Sequence, residues 1–267
     1  MVNATPSSVS MVRAFSAAAA TYERYAMVQR QIGDRLLAEL ALLSPPRRIL
    51  DVGCGTGVLS RALAERFPSA EVWGIDIAPA MICEARRRTD GPLRLRFEVA
   101  DLVNFRSEQD WDLVVSNCSL HWIFPIQRAF RPLASLLRPG GAFALAVMLA
   151  GTLRELHTAR LAVAPDNPPA AQLPILTEIT DGLCAAGCRV SRARQDTVVE
   201  YAPDAWEVLR RLRATGVTGG PPARGRRPLS PAEIRRLTAY YDAHYRGPNG
   251  VCVSYEVGSF WGIRDVA

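Results

Sequence analysis

Five short apolar runs between residues 47 and 148 alternate with stretches in which apolar residues recur at helical spacing. Short apolar runs bounded by turn residues indicate buried strands, and the i, i+3, i+4 spacing indicates helices. The predicted strands are 47–51, 70–76, 93–99, 111–116 and 142–148, and the predicted helices are 58–67, 78–88 and 126–137, with a turn at 138–141. Strands separated by helices imply a parallel sheet whose two faces are covered.

The flanks of this pattern are mostly helical. Residues 15–42 predict one long helix or two short ones, ended by Ser44, Pro45 and Pro46. After residue 148 we predict a helix at 152–161, a proline-rich link at 165–169, a helix at 175–186 and a strand near 196–201. An arginine-rich section at 203–247 holds two helical stretches, and alternation at 251–263 predicts a strand that returns to the sheet.

The length and composition fit one α/β domain that spans residues 1–267. Of the 267 residues, 49% are hydrophobic and 22% charged, which is enough to bury a full core. No run of about 18 apolar residues occurs, and the alanines at 17–20 are soon followed by Glu23 and Arg24. We therefore expect neither a membrane span nor a secretory signal.

The six cysteines show no CxxC pair and no Cys/His spacing typical of a metal site. We interpret them as reduced thiols in a cytoplasmic protein and predict no metal. The formal charge is +6, and all 32 basic residues are arginine. The absence of lysine excludes Schiff-base and P-loop lysine chemistry, and the arginines favour an acidic partner, either nucleic acid or an acidic protein.

A glycine loop from Asp51 to Gly57, DVGCGTG, lies between the first predicted strand and helix. Glycines at such a turn permit positive φ and let backbone amides approach a ligand, although a turn without any ligand can look the same. A dinucleotide loop reads GxGxxG, whereas this one is DxGxGxG with an acid at the end of its own strand. That arrangement favours a ligand with an amino group, such as S-adenosylmethionine.

Acidic residues also end the next two strands. Asp76 follows Gly57 by 19 residues, where a carboxylate can accept hydrogen bonds from both ribose hydroxyls; the alternative is a cap for the helix that begins near Ala78. Asp101 and Leu102 end the third strand, where an adenine amino group and ring would lie.

At this point the chain resembles the class I S-adenosylmethionine-dependent methyltransferases, because DVGCGTG, GIDIAPAM, VADL and LVVSN fall in order at the ends of strands one to four. The resemblance implies a Rossmann-like, seven-stranded, mostly parallel sheet with an antiparallel last strand and helices on both faces. It also implies a cofactor site at the carboxyl edge, built from Tyr22, Gln29, Asp51, Gly53, Cys54, Gly55, Asp76, Ile77, Met81, Asp101, Leu102 and Asn117.

The flanking segments resemble the malonyl-acyl carrier protein O-methyltransferase family, on the stretches AAATYERYAMVQ, SNCSLHW, GTLRELH and LRRLRATGV. This resemblance implies methylation of the free malonyl carboxyl group on acyl carrier protein, early in biotin synthesis. The core would span about 45–150, with a lid at 15–42, 151–170 and 203–247. The chain departs from the pattern at His121, where glutamine is expected, and at Arg213, where lysine is common.

A carboxylate is already ionised at pH 7, so its methylation needs no general base. A cation is expected to select it, because burying an unpaired carboxylate is costly; the candidates are Arg154 and Arg213, each of which can also be a solvated helix arginine. Tyr22 is a candidate to bind the cofactor or the carboxylate and His121 to orient the substrate, although both can be packing residues. His157 and His244 receive no role.

The arginine excess at 203–246 fits an acidic helical carrier protein, and a merely solvated face is the alternative. We expect a monomer that binds no nucleic acid, since no aromatic interleaving or RNA-module motif appears. Two other functions remain open on the same core. One is a small-molecule carboxyl methyltransferase, trans-aconitate-like, or a natural-product methyltransferase. The other is a non-catalytic S-adenosylmethionine-binding protein.

Overall fold

The computed structural model describes residues 6–40, 45–89, 94–220 and 225–266, which form one sheet with helices around it. The strands are β1 Arg48–Val52, β2 Glu71–Asp76, β3 Leu95–Val99, β4 Trp111–Asn117, β5 Leu137–Met148, β6 Cys188–Ala202, β7 Arg246–Gly247 and β8 Gly250–Arg264. Their order in the sheet is β3-β2-β1-β4-β5-β8-β6. Strands β1 to β5 pair in parallel, and β8 is antiparallel to both β5 and β6. The predicted mostly parallel sheet with an antiparallel last strand is confirmed, and the two-residue β7 adds an eighth strand beside β8.

The helices of the described chain pack on the sheet or cover its carboxyl edge. They are α1 Pro6–Ala18, α2 Tyr22–Tyr25, α3 Met27–Glu39, α4 Val58–Arg66, α5 Pro79–Arg87, α6 Gln127–Leu136, α7 Arg154–Val163, α8 Leu176–Ala185, α9 Ala205–Ala214 and α10 Pro231–Tyr245. Short 3₁₀ turns at Leu120–Trp122 and Val217–Gly219 complete the set. Among the described residues, no helix is both long enough and apolar enough to cross a membrane.

Neighbouring residues of the central strands belong to two different hydrophobic clusters. Leu50 and Val114 lie in the cluster that holds Phe130 of α6, whereas Ile49 and Leu113 lie in the cluster that holds Leu36 of α3. Side chains alternate between the two faces of a strand, so continuous apolar runs bury both faces of the sheet. This is why these segments appear as uninterrupted apolar runs in the sequence.

The N-terminal helical region begins earlier than predicted and is interrupted. Helix α1 starts at Pro6 rather than near residue 15, and a turn at 19–21 and Ala26 divide the region into α1, α2 and α3. The Thr21 hydroxyl donates to the Ala18 carbonyl at 3.3 Å, which offers the backbone a local alternative to the helix. The predicted end at 42 and the stop at Ser44 lie outside the described residues.

Two other boundaries differ from the predictions. Strand β6 begins at Cys188, eight residues before the predicted start at 196. The prediction began too late because the first half of the strand carries exposed arginines instead of an apolar alternation. This strand ends the sheet and pairs with β8 alone, so polar side chains suffice there. The predicted turn at 138–141 is part of β5, where Gly140 has a φ of 71° and the pairing with β4 shifts register.

Strands β6 and β8 extend beyond the rest of the sheet. Pairing between β5 and β8 ends at Met148 and Val257, whereas β6 and β8 stay paired as far as Ala202 and Val251. A separate hydrophobic cluster covers this extension, with members from β6, α7, α9, α10 and β8: Ala159, Ala202, Ala205, Val208, Leu212, Leu237, Tyr241, Val251 and Val253. The lid helices α7, α9 and α10 therefore rest on an overhang of the sheet itself.

Candidate active site

The glycine loop follows β1 in a backbone conformation that only glycine adopts readily. Gly53, Gly55 and Gly57 have φ values of 70°, 55° and 80°. At Gly57 an added Cβ atom would lie 2.6 Å from Cζ of Phe97, so close packing excludes a side chain there. At Gly55 the same atom would meet nothing within 4 Å. The loop thus leaves open space beside Gly55, as the predicted cofactor requires.

Asp76 faces the glycine loop from the end of β2. Its Oδ2 atom accepts a hydrogen bond from the Gly55 amide at 3.0 Å, and its Oδ1 atom accepts one from the Ala78 amide at 2.8 Å. Burial raises the pKa of this carboxyl, although both amide bonds oppose the shift. A carboxylate has about four acceptor positions, so two remain for ribose hydroxyls. Asp76 can therefore cap the helix and accept hydrogen bonds from a ligand at the same time.

Asp51, the acid of the glycine loop, is deeply buried, with 1% of its surface exposed. The Ser60 hydroxyl donates to its Oδ2 atom at 2.6 Å, and burial raises the pKa of Asp51 to about 7. A carboxyl group with such a pKa can take up or release a proton near neutrality. It would be favoured as a carboxylate by a cationic group bound next to it.

The remaining predicted cofactor residues lie along the same edge of the sheet. Asp101 Oδ1 accepts from the Val103 amide at 3.1 Å and Oδ2 from the Asn104 side chain at 3.0 Å, which turns the chain after β3. Asn117 donates to the Gln29 carbonyl at 2.8 Å and so ties α3 to the end of β4. Met81 packs against Ala19, with Tyr22 beside them. Further members at this edge are the buried Cys54 and Leu102 and the half-buried Ile77.

A cavity of about 700 Å³ lies between the sheet edge and the lid. The core side of its wall comes from α1 to α3 and the ends of β4 and β5, and the lid side from α7, α9, residues 225–229 and α10. Tyr22, Gln29 and His121, all predicted site residues, line this cavity. The cavity is the space in which an acceptor can meet the predicted cofactor.

His121 is a neutral hydrogen-bond donor in this arrangement. Only 5% of it is exposed, and its Nδ1 atom accepts from the Met148 amide at 3.4 Å. The proton of the neutral ring is therefore assigned to Nε2, and burial lowers the pKa of His121 to about 3. This ring can donate to a substrate but cannot serve as a general base through Nδ1.

Two further residues on the core side of the cavity are also held in their protonated forms. Burial raises the pKa of Tyr22 well above its usual value, and raises that of the Cys118 thiol to about 12. Cys118 has a φ of 52°, which is uncommon for a residue other than glycine. Such strained positions cluster at functional sites, but no sequence motif singled out this residue.

Arg154 and Arg213 do not line the cavity. Arg154 is exposed at the start of α7, where Nη1 pairs with Glu256 Oε1 at 2.7 Å and Nη2 donates to Ser254 Oγ at 3.1 Å. Arg213 is exposed on α9. Both side chains lie outside the cavity wall, so a contact of either arginine with the substrate stays a prediction.

The arginines that do line the cavity are Arg160, Arg211, Arg226 and Arg227. Helical spacing could have indicated Arg160. Leu153 at the N-cap of α7, with Leu156, His157 and Arg160 on the helix, forms one i, i+3, i+4, i+7 stripe that faces the cavity. Arg154 is off this stripe. His157, which received no role from sequence, also lines the cavity, and burial lowers its pKa.

Acidic side chains balance the positive charge of Arg211 at the cavity wall. Its Nε atom pairs with Glu207 Oε1 at 2.9 Å, and Glu200 lies near enough for Arg211 to oppose the rise that burial causes in the pKa of Glu200. Tyr255 donates to Glu200 at 3.4 Å. Among the described residues, no group of His, Cys, Asp and Glu side chains is arranged to hold a metal ion.

Comparison with known proteins agrees with this site. Residues 49–141 match the family model described as "Methyltransferase domain". A solved structure of phosphoethanolamine N-methyltransferase 2 from Haemonchus contortus, in complex with S-adenosyl-L-methionine, aligns with a TM-score of 0.55 and 18% identity, covering 87% of this chain and 52% of that one. The fold and the family match define a methyltransferase with the Rossmann-like class I fold, which confirms the predicted fold class.

Whole-chain similarity is more specific. The malonyl-[acyl-carrier protein] O-methyltransferase of Halorhodospira halophila is 36% identical over 258 residues, covering 94% of this chain and 86% of that protein. The biotin biosynthesis bifunctional protein BioCD of Bordetella avium is 31% identical over 255 residues, 92% of this chain and 50% of its own length. This chain belongs to the malonyl-[acyl-carrier protein] O-methyltransferase family.

Proposed function

We propose that this methyltransferase converts the free carboxyl group of a malonyl thioester on acyl carrier protein to its methyl ester, early in biotin synthesis. The names and coverage of its relatives support this acceptor. The observation that carries the chemistry is the absence of an available base among Tyr22, Gln29, Cys118 and His121, on the core side of the cavity. An amine or a hydroxyl must lose a proton to accept a methyl group, whereas a carboxylate at neutral pH has none to lose.

The site would hold S-adenosylmethionine with the glycine loop, Asp51, Asp76, Asp101 and Asn117, and the bound cofactor supplies an electrophilic methyl group on a positively charged sulfur. Tyr22, Gln29 and His121 would hold the malonyl carboxylate by donated hydrogen bonds. The carboxylate loses its charge as the ester forms, so neutral donors stabilise it less strongly than an arginine and oppose the reaction less. Excluding water from this cavity and aligning one oxygen with the methyl group would provide most of the acceleration.

The lid also offers a face for the carrier protein. Trp206, Arg210 and Arg213 recur at i, i+4, i+7 on α9, and all three side chains are exposed. An acidic helical protein complements this combination of guanidinium groups and an apolar ring. Arg213, which lies outside the cavity, is thereby reassigned in this proposal from carboxylate binding to carrier docking.

The test is methyl transfer from labelled S-adenosylmethionine to malonyl-acyl carrier protein, beside malonyl-CoA, free malonate and trans-aconitate, with the product mass measured. Carrier-dependent gain of one methyl group is the expected result. Transfer to a free acid alone would replace the carrier assignment with a small-molecule carboxyl methyltransferase, and cofactor binding without transfer to any acceptor would support a non-catalytic protein. The proposal also includes a single catalytic domain in a cytoplasmic monomer that binds no nucleic acid. Light scattering on the purified protein tests whether it is a monomer.

A further inference from the structure

The cations of the cavity are confined to its lid side. Arg160 comes from α7, Arg211 from α9, and Arg226 and Arg227 from the segment that precedes α10. On the core side, Tyr22, Gln29, Cys118 and His121 are uncharged. Because Arg211 lies between Glu207 and Glu200, the positive charge that remains is concentrated where α7 meets residues 225–228. We call Arg160, Arg226 and Arg227 the arginine corner.

The arginine corner is built into the fold. Asn167 is completely buried, and its side chain donates to the Arg227 carbonyl at 2.9 Å and accepts from the Arg227 amide at 3.2 Å. Arg160 is 9% exposed and donates from Nε to the Asn167 carbonyl at 2.9 Å. Gly225 forms an isolated bridge with Pro169, and a Cβ atom at Gly225 would collide with the Arg160 guanidinium and the Asn167 amide. These contacts fix residues 225–227 against α7.

The guanidinium groups of the arginine corner lie close enough for Arg160 and Arg227 to repel each other. Arg227 pairs with Glu233 through two contacts of 2.7 and 2.8 Å and lies 3.6 Å from Asp166. Arg226 makes no ion pair with any residue that the structure describes. Both carboxylates pair with Arg227, and burial and the neighbouring Arg227 lower the pKa of Arg160. An anion bound at this corner would relieve that repulsion.

We propose that the arginine corner is a phosphate subsite that binds the phosphodiester of the carrier's phosphopantetheine arm. This inference rests on the proposed function. A malonyl-pantetheine arm has one anion at each end, joined by an uncharged chain. The reacting carboxylate belongs beside the cofactor, where the wall is neutral, and the phosphodiester then falls on the lid side, where the cations lie. Leu153, Leu156, Leu209 and Leu229 line the cavity and can pack against the uncharged chain.

The experiment compares pantetheine 4′-phosphate with pantetheine as competitors of malonyl-acyl carrier protein methylation. The phosphate should inhibit the wild-type enzyme at least about tenfold more strongly, because a phosphate with bidentate guanidinium partners forms charge-assisted hydrogen bonds. In Arg226→Gln the two compounds should become nearly equal. Arg131→Gln, which removes an exposed arginine of α6 outside the cavity, is the charge-matched control and should keep the full difference.

A third compound separates the two anions of the substrate. Malonyl-N-acetylcysteamine carries the carboxylate without a phosphate, and Arg226→Gln should leave its apparent affinity unchanged. Equal weakening of this compound and of pantetheine 4′-phosphate would show that the corner binds the carboxylate, and equal inhibition of the wild type by pantetheine and its phosphate would show that it binds neither. Both outcomes overturn the subsite. Calorimetric titration of the phosphate keeps the test independent of turnover, so failure to methylate malonyl-acyl carrier protein would contradict the proposed function instead.

Discussion

Asp51 and Asp76 are neighbours at the ends of adjacent strands, yet their surroundings prepare them for different tasks. Asp76 accepts two backbone amides, which hold its charge in place, whereas Asp51 has one hydroxyl partner and a pKa of about 7. Two amide donors that favour the charged form suit a carboxylate that accepts from neutral ribose hydroxyls. A group that ionises near neutrality suits a ligand that brings its own positive charge.

Cofactor affinity should therefore depend on pH through Asp51. Below its pKa of about 7 the carboxyl is protonated, and binding an ammonium group beside it expels that proton. The affinity for S-adenosylmethionine should fall by up to about tenfold per pH unit below neutrality. Calorimetry in buffers of different ionisation enthalpy should show proton release, and Asp51→Asn should lose both effects. An affinity of the wild-type protein that stays constant from about pH 5.5 to about 7 would contradict this role.

The protein without cofactor should show the opposite trend in stability. The folded-state pKa of Asp51 lies above the unfolded value of 3.8, so the folded state binds the proton more tightly. The stabilisation that this group contributes is complete below the unfolded pKa and is lost as pH rises toward about 7. Denaturant unfolding of wild type and Asp51→Asn across this range measures the difference, which should shrink as pH rises.

Substitution of Gly55 tests whether the cofactor lies beside it, and substitution of Gly187 is a control with a similar loss of stability. Gly55→Ala and Gly187→Ala place alanine at φ values of 55° and 82°, and in both cases the new Cβ atom meets nothing within 4 Å. Each should lose roughly 1–2 kcal/mol of unfolding free energy from left-handed strain. Only Gly55→Ala should weaken S-adenosylmethionine binding, by more than about tenfold. Equal cofactor affinity in the two variants would place the cofactor elsewhere.

The sequence makes a sharper prediction for the cofactor side of the site than for the acceptor side. Asp51, Gly55 and Asp76 are close together in a short motif and at consecutive strand ends, so local spacing defines their positions. Sequence reasoning chose Arg154 and not the cavity-lining Arg160, because a motif marks a segment and does not say which face of its helix points inward. Charge pairing across about a hundred residues, as between Arg154 and Glu256, leaves no local signal.

At the scale of elements, α7 is held to the overhanging strands by polar contacts, of which those of Glu155 are buried. Arg154 bonds Glu256 and Ser254, and the next residue, Glu155, accepts from the Ser254 amide at 3.1 Å and from its hydroxyl at 2.5 Å. Thr197 and Gln195 of β6 also donate to Glu256. These contacts fix the rotation of α7 and so the direction of its cavity-facing stripe.

Arg154 should accordingly act as a positioning residue. Arg154→Met should raise KM for the malonyl acceptor by about three- to tenfold with a smaller change in kcat, because the α7 stripe loses its register without losing any group that touches substrate. S-adenosylmethionine affinity should stay unchanged. Arg154→Lys should restore part of the loss through its pairing with Glu256, and Arg131→Met serves as the control. A change in kcat alone would contradict the assignment.

Prediction of the elements themselves depended on how apolar they are. The strands buried on both faces were found within one or two residues at most ends, since their apolar runs are continuous. Strand β6 was found only in its last third, where Val198 is buried, because a strand at the sheet edge with exposed arginines lacks periodicity. The break between α1 and α3 was left open, as one long helix or two short ones, because alanines fit a helix equally well throughout.

For the whole molecule, the formal charge of +6 and the exposed arginines of the lid predict electrostatic association with the carrier. KM for malonyl-acyl carrier protein should rise with ionic strength, since exposed charges are screened over about 10 Å at 0.1 M salt. KM for malonyl-N-acetylcysteamine, which has a single charge, should change much less. A salt-independent KM for the carrier would argue against the docking face.

The docking face can be removed selectively. The combined variant Trp206→Ala, Arg210→Gln, Arg213→Gln should raise KM for malonyl-acyl carrier protein by about tenfold or more. Its kcat/KM for malonyl-N-acetylcysteamine should stay at the wild-type value. Arg128→Gln with Arg131→Gln on the exposed side of α6 is the matched control. Equal losses with both acceptors would indicate a damaged cavity instead of a lost interface.

Because β6 and β8 overhang the sheet, the residues proposed to bind the methyl donor and those on the lid side of the acceptor cavity come from different parts of the chain. The machinery proposed for the methyl donor, including the N-terminal helices, is complete by Met148, and the match to the general methyltransferase model ends at residue 141. The lid side of the acceptor cavity is built from residues after Met148, on strands that the donor side does not share. Selection on the lid side of the acceptor cavity can thus act on the C-terminal portion, and a lineage can alter that side while it inherits its donor chemistry intact.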